Sequence, residues 1–222
     1  MTVYIEKPAL SLRSELASLR NQGGYQEQQF YFDSLVTNGT FDTDTNWISY
    51  GSDAASSSIS GGVATIFGNA GYYQFFTTVI GRSYRASVNV NSTSGSNSEL
   101  KVGTTANGEQ NLKIVTAAVA AYSGTFIATA TTTFVNLKAN YAVGSTQSTV
   151  YDNVSVFNSD GTDVIHTMPQ GWKPKDFFED GLLQREGAAN DYEVVYDGFD
   201  YVVKPTVAPS ATTQTCVIGV KA

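Results

Sequence analysis

The sequence YRASVNV at residues 84–90 decides the fold class. Its first, third, fifth and seventh positions are apolar and the positions between them are polar, which is the period of a strand with one buried face. Similar short runs recur between turn residues at 62–67, 72–79, 100–102, 124–130, 133–139 and 151–157. Many short strands at this spacing predict a β-sandwich, and a jelly roll protects its strand edges.

The composition divides the chain into three zones. Only 15% of the 222 residues are charged, and the middle zone, residues 35–158, is rich in Ser, Thr, Gly and Asn. Residues 1–34 hold an arm, a short helix and a first strand, and residues 159–222 form a small C-terminal β domain. The apolar run at residues 30–32 is expected to pair with residues 164–168. The fold class is therefore mostly β, with a jelly-roll sandwich inserted into a small β domain.

A short helix after residue 8 is the one good helix signal. Its apolar stripe consists of Ala9, Leu12, Leu16 and Leu19. A helix of this length is marginal alone, so its stripe must lie on its own β domain, a sister subunit or a partner. We interpret the stripe as a particle or oligomer docking face, and we expect a homo-oligomer, with a trimer favoured.

The C-terminal zone carries two tight-turn signals and a final strand. Asp180-Gly181 and Asp197-Gly198 each separate two apolar runs, which predicts two hairpins. Cys216 lies in an apolar run and is expected to be a buried strand thiol.

The residue inventory argues against catalysis. A single histidine, His166, lies in an apparent strand, and the sequence shows no Cys/His cluster or nucleophile–histidine arrangement. We therefore expect no enzyme activity. The net charge of −7 argues against nucleic acid, and the single cysteine excludes an internal disulfide framework. The sequence shows no signal peptide and no membrane-spanning run, so we expect synthesis in a host cytoplasm without membrane insertion.

The two ends of the middle zone carry a family resemblance. The motif VTNGTFD at 36–42, Trp47 and the motif YDNVSV at 151–156 resemble the ends of carbohydrate-binding-module jelly rolls of the family 4/9/22 type. The resemblance implies a possible structural calcium held by Asp152, with Asn38 and Asp42 nearby; no other cofactor is implied. The alternative is that residues 38–39 simply form a turn and that Asp152 bonds to the backbone.

The same resemblance implies glycan binding by exposed aromatic rings. The candidates are Trp47, Tyr50, Tyr72, Tyr73, Tyr84 and Tyr122. Aromatic residues of a sandwich are commonly core residues, so each also has a purely structural interpretation. Strand alternation allows only one of Tyr72 and Tyr73 to face the core.

The outer zones carry a second resemblance. The sequence YIEKPALSLR at 4–13, MPQGWKP at 168–174, DGLLQR at 180–185 and DYEV at 191–194 resemble small tailed-phage virion proteins. This implies a virion structural protein, as a capsid decoration or head-fibre protein, whose partners are the major capsid protein or tail proteins and whose jelly roll binds surface glycans. A tail fibre, a tail adaptor and a stand-alone lectin-like module are the alternatives.

Overall fold

The computed structural model describes residues 27–94, 97–161, 164–187, 190–196, 200–209 and 214–221. Apart from one 3-10 turn at Ala54–Ser56, the regular structure in these ranges is all strand. The strands are β1 (Glu27–Tyr31), β2 (Ile48–Gly51), β3 (Ser58–Ser60), β4 (Val63–Phe67), β5 (Asn69–Thr77), β6 (Ser83–Thr93), β7 (Ser98–Gly103), β8 (Leu112–Thr116), β9 (Ala120–Ile127), β10 (Thr132–Asn140), β11 (Ser148–Asn158), β12 (His166–Thr167), β13 (Trp172–Glu179), β14 (Leu182–Leu183), β15 (Tyr192–Tyr196), β16 (Tyr201–Pro205) and β17 (Thr215–Lys221).

Strands β2 to β11 form a jelly-roll sandwich of two antiparallel five-stranded sheets. The first sheet has the order β2-β5-β10-β7-β8, and the second has the order β3-β4-β11-β6-β9. From β4 to β7, and again from β8 to β11, each successive strand lies in the opposite sheet. The predicted fold class, mostly β with a jelly-roll sandwich, is confirmed.

Alternation along the strands builds the sandwich core. In β6 the four apolar residues of the YRASVNV run are buried, whereas Arg85, Ser87 and Asn89 are half-buried on the other face. In the facing sheet, Val135, Leu137 and Ala139 of β10 are completely buried. The two inner faces therefore meet with their apolar rows, as a sandwich requires. The sequence did not predict β8, a short edge strand that pairs only with β7.

The rest of the described chain forms a four-stranded sheet, in the order β1-β17-β13-β14, and a three-stranded sheet, in the order β12-β16-β15. Their shared core includes Met168, Phe177, Tyr192, Val203 and Val217. The predicted final strand is present as β17, and the thiol of Cys216 is buried as expected.

The expected pairing of residues 30–32 with residues 164–168 is wrong. Strand β1 pairs with β17, so that Phe30 lies opposite Val217, while His166 and Thr167 pair with β16. The two segments meet through side chains instead, because the ring of Phe32 stacks on His166 at 5.0 Å. The physical reason is that β17 offers a long partner strand, whereas β12 has only two ladder residues.

The beginning and the end of the sandwich are tied together. The amide of Leu35 donates to the carbonyl of Val156 at 2.8 Å, and the hydroxyl of Ser34 accepts from the amides of Val36 and Val156 at 3.1 Å each. A sandwich whose ends lie this close is compatible with a chain that returns to complete another sheet.

One of the two predicted tight turns is confirmed. Asp180 and Gly181 both have positive φ, 48° and 78°, and they join β13 to β14 in a two-residue hairpin. Residues 197–199 lie outside the described residues, although β15 and β16 on either side pair antiparallel. The predicted N-terminal helix, with Ala9, Leu12, Leu16 and Leu19, also lies outside the described residues.

His166 is a core residue at the junction of the sandwich and the smaller sheets. It is 2% exposed, and its ring contacts those of Phe32, Phe157 and Phe177 at 5.0 to 6.3 Å. Its Nε2 has no hydrogen-bond partner among the described residues. Burial lowers the pKa of His166 to about 4, so the imidazole is neutral in the folded protein near pH 7.

This pKa predicts acid sensitivity of the junction. The unfolded state takes up a proton near pH 6.5 and the folded state does so only near pH 4, so the folded state loses stability as the pH falls between these values. We expect the His166 contribution to destabilise the protein by roughly 3 kcal/mol between pH 7 and pH 4. Urea unfolding of the parent and of His166→Phe at both pH values measures it. An equal acid loss in both proteins would contradict this assignment.

Candidate functional site

The outer face of the first sandwich sheet carries a continuous strip of four aromatic rings. Tyr50 lies 6.0 Å from Tyr73, Tyr73 lies 5.8 Å from Phe134, and Phe134 lies 5.7 Å from Phe75, measured between ring centroids. Phe75 is 55% exposed, and the other three rings are half-buried. We call these four residues the aromatic strip.

The strand register explains why the rings share one face. Phe134 of β10 lies directly opposite Phe75 of β5, and residues two apart on a strand face the same side, which adds Tyr73. Tyr50 of β2 lies opposite Gly71, and a Cβ at Gly71 would collide with the tyrosine ring. The missing side chain at position 71 therefore lets Tyr50 lie across the sheet.

A network of four charges on β7, β8 and the loop between them borders the strip. Lys101 lies 3.8 Å from Glu99 and 3.6 Å from Glu109, and Lys113 lies 2.8 Å from Glu109 and 3.9 Å from Glu99. Glu99 and Lys101 are each only 4% exposed, although they point away from the sandwich core. A buried charge is tolerated only when it is paired, so this arrangement is highly constrained.

The β7–β8 loop covers these charges and connects them to the strip. The side-chain oxygen of Asn107 accepts from the ammonium of Lys101 at 2.6 Å and from the hydroxyl of Tyr50 at 3.2 Å. The amide of Asn107 donates to the side-chain oxygen of Asn136 at 2.6 Å, and Asn136 is completely buried beneath the loop. One loop residue therefore fixes both an aromatic ring and a buried ammonium group.

Burial and charge shift the pKa values at this face. Burial lowers the pKa of Lys101, while Glu99 and Glu109 oppose that shift. Burial, with a smaller contribution from Glu99, raises the pKa of Tyr50 well above its usual value, so its hydroxyl stays protonated and can donate. The hydrogen bond from Lys113 lowers the pKa of Glu109, which keeps that carboxylate ionised.

A cavity of about 330 Å³ adjoins the strip beside Phe75. It is lined by Thr37, Asn46, Trp47, Ile48, Gln74 and Phe75. Ile48 is substantially exposed and lies opposite Tyr73 in the β2–β5 ladder. The cavity places polar groups at the end of the aromatic strip.

Only two of the six aromatic residues proposed from the sequence lie on the strip. Tyr50 and Tyr73 do, but Tyr72 and Tyr84 are buried in the sandwich core, which corrects the expectation for those two residues. Trp47 is also buried in the core, and it reaches the surface only where it lines the cavity beside Phe75. As predicted, one residue of the Tyr72–Tyr73 pair faces the core, and the structure shows that it is Tyr72.

Tyr122 also departs from a surface role. It packs against the sandwich core from β9, and its hydroxyl bonds to Thr116 at 2.5 Å and to the carbonyl of Ala118 at 2.9 Å. It belongs to the second sheet, away from the strip. Phe75 and Phe134 were missed, although alternation from a buried Tyr72 would have placed Phe75 beside Tyr73.

The residues proposed for calcium are bonded within the protein. The Asn38 side chain closes its own loop by donating to the carbonyls of Thr43 and Thr45, at 2.7 and 3.1 Å. Asp152 accepts from the amide of Asn153 at 2.7 Å. Asp42 accepts from Thr40 at 2.6 Å.

These contacts match the alternative of a turn and a backbone-bonded aspartate. Among the described residues, no group of three or more His, Cys, Asp or Glu side chains is arranged to hold a metal ion. The structural calcium stays a prediction of the resemblance.

Comparisons with known proteins add little to this geometry. No family model matches the sequence, and no curated protein matches it. One solved structure, described as "CBM4 structure and function", is similar with a TM-score of 0.43 and 14% sequence identity, over 56% of this chain and 99% of that chain. Within the described ranges, no helix is long and apolar enough to cross a membrane.

The charge network predicts a strong stability coupling. Glu99→Gln leaves the buried ammonium of Lys101 with weaker compensation, so we expect a loss of about 2 kcal/mol or more in urea unfolding. The double variant Glu99→Gln/Lys101→Met removes both charges and should recover most of that loss. Glu109→Gln, at a half-exposed position, should cost clearly less than Glu99→Gln. Strictly additive losses in the double variant would contradict the coupling.

Proposed function

We propose that this protein is a non-catalytic module that binds glycans on the aromatic strip. The observation that carries the proposal is the row of four neighbouring rings on one outward sheet face, with Phe75 more than half exposed. A surface aromatic cluster of this kind marks a binding site more often than it marks chance exposure.

The chemistry of a sugar matches this face. A pyranose ring has a face of C–H groups, which packs on an aromatic ring, and a rim of hydroxyls, which needs fixed donors and acceptors. Beside the rings lie Asn107, Lys113 and Glu109, of which the two charged residues are part-exposed. Their positions are set by the charge network before a ligand arrives, which lowers the entropic cost of binding.

The electrostatics of the face oppose a glycosidase. Glycoside hydrolysis needs one carboxylic acid with a raised pKa to protonate the leaving group. Here the two carboxylates are salt-bridged to lysines, and the pKa of Glu109 is lowered rather than raised. The face is therefore suited to holding a sugar and not to cleaving it.

A role as a phage virion structural protein is the second candidate, carried by the resemblance of the outer segments. The chain order supports it: β1 precedes the sandwich and joins β17, so the outer segments form one unit around an inserted module. In this proposal the outer unit anchors a homo-oligomer, with a trimer favoured, to the capsid or tail, and the sandwich displays the strip. Finding the chain in purified particles by density and mass tests it.

A glycan array tests the binding proposal. We expect the parent protein to bind a subset of surface glycans, and Tyr73→Ala or Phe134→Ala to weaken binding about tenfold or more, because truncating a buried contact aromatic commonly costs about 2 kcal/mol. Titration calorimetry with the strongest array hit measures the change.

Tyr196→Ala is the matched control, since Tyr196 is an exposed tyrosine on β15, outside the sandwich. It should bind as the parent does. If parent and Tyr73→Ala/Phe134→Ala bind every arrayed glycan equally, or neither binds any, the strip is not a glycan site.

A further inference from the structure

The outer face of the sheet β1-β17-β13-β14 is apolar along β17, whereas an exposed sheet face is usually polar. On β17, Thr215, Val217 and Gly219 point toward the small core, as shown by the contact of Gly219 with Met168 and Phe30. Alternation then places Cys216, Ile218 and Val220 on the opposite face. All three are apolar.

The register extends this apolar surface across the sheet in one row only, because Ile218 lies opposite Gln29 and Asp176, and Val220 lies opposite Glu27 and Lys173. Cys216 lies opposite Phe178 of β13, and Phe178 lies opposite Leu183 of β14, so the three side chains form one row across the sheet. Leu183 is 60% exposed, and Phe178, Ile218 and Val220 are half-buried. We call Cys216, Ile218, Val220, Phe178 and Leu183 the outer patch. An apolar patch on one sheet face calls for a covering element.

We propose that the outer patch is the docking site of residues 9–19 of the same chain, which selects the chain's own β domain from the three surfaces considered for the stripe, in place of a particle or sister-subunit contact. This segment carries the apolar stripe at 9, 12, 16 and 19, which needs a surface to lie on. The chain leads directly from it into β1, which belongs to this same sheet. One contact would therefore bury both the apolar stripe of the helix and the outer patch of the sheet.

The lengths fit. A helix over eleven residues is about 16 Å long, and four strands span about 14 Å from the first to the last. Residues 20–26 separate the stripe from β1, and seven residues reach about 24 Å when extended. A tether this short gives an effective concentration in the millimolar range, which favours the chain's own sheet over a second copy.

The single cysteine lies in the outer patch, so its reactivity reports whether the patch is covered. Cys216 is 8% exposed. Leu12→Asp/Leu16→Asp should detach the segment and raise the rate of Cys216 modification by an aromatic disulfide reagent about tenfold or more, because protection in the folded state measures the free energy of opening. Deletion of residues 1–22 should have the same effect.

Ser14→Asp/Ser18→Asp is the control, since it adds the same charge on the opposite side of the predicted helix. Its Cys216 should react as slowly as the parent's. Urea unfolding and light scattering accompany each variant. Unchanged Cys216 reactivity in both the stripe variant and the deletion overturns the proposal. The proposal is also overturned if the parent forms a dimer in light scattering and its Cys216 modification rate falls as the protein concentration rises, because the patch would then be covered by a second copy.

A crosslink in the folded chain decides the matter if the charged variants fail to fold. Under mild oxidation, Leu12→Cys or Leu16→Cys should form an intramolecular disulfide with Cys216 in a monomeric band, because both sulfurs then lie on one contact surface. Ser14→Cys should not. Disulfides that form only between chains, or equally from position 14, overturn the proposal.

Discussion

The pairing of β1 with β17 is the constraint on which the rest of the chain depends. Glu27 to Tyr31 hydrogen-bond with Cys216 to Val220, almost the full length of the described chain away. Phe30 thereby reaches the small core, and Phe32 reaches His166. The amide of Phe32 donates to the carbonyl of Thr215, whose hydroxyl donates back to the carbonyl of Phe32. The contacts of Ser34 and Leu35 with Val156 bring the two ends of the sandwich together, and this lets β1 and β17 pair across a long sequence separation.

The sequence alone predicts the strands, because they follow from the alternation of apolar and polar residues. It does not predict which of two apolar segments a strand pairs with. The run at 84–90 specifies a strand and its buried face, because its apolar and polar side chains alternate with a period of two residues. Nothing in residues 30–32 distinguishes β17 from residues 164–168, since both candidates are apolar. Ladder length decides, and that is a tertiary property. The Asp180-Gly181 turn was predictable because positive φ at both positions restricts the residue types.

The candidate site shows the same division. Trp47 was a reasonable ligand-binding candidate, but its indole donates to the carbonyl of Asn38 at 3.0 Å and packs on Phe41. The opening motif therefore closes the end of the sandwich. Gln74 supports this end from the inner face, bonding both the amide and the carbonyl of Thr37. These residues share a motif because together they hold one loop. Interpreting each aromatic residue separately as a ligand contact does not reveal this shared structural role.

The loop over Glu99 and Lys101 explains why the strip has one fixed shape. The buried pair of Glu99 and Lys101 on an outer sheet face stabilises the fold less than two apolar residues would. Such a pair is retained where it fixes one particular arrangement of the neighbouring side chains. Here the arrangement they specify is the position of Asn107, and Asn107 in turn holds the hydroxyl of Tyr50. The charges are conformational restraints on an aromatic surface.

The two sheets of the sandwich face opposite directions, so the aromatic strip and the smaller sheets lie on opposite sides of the sandwich core. Ala208, Pro209 and Val164, from the chain after the sandwich, line a cavity together with Arg85, Ser87 and Ser155 on the outer face of the second sheet. The aromatic strip lies on the outer face of the first sheet, with the whole sandwich core between them. Any support that grips the chain through its smaller sheets therefore approaches from the side of the second sheet, and the strip points away from that support. Both ends of the jelly roll join the second sheet at β11, and this places the smaller sheets on that side of the sandwich.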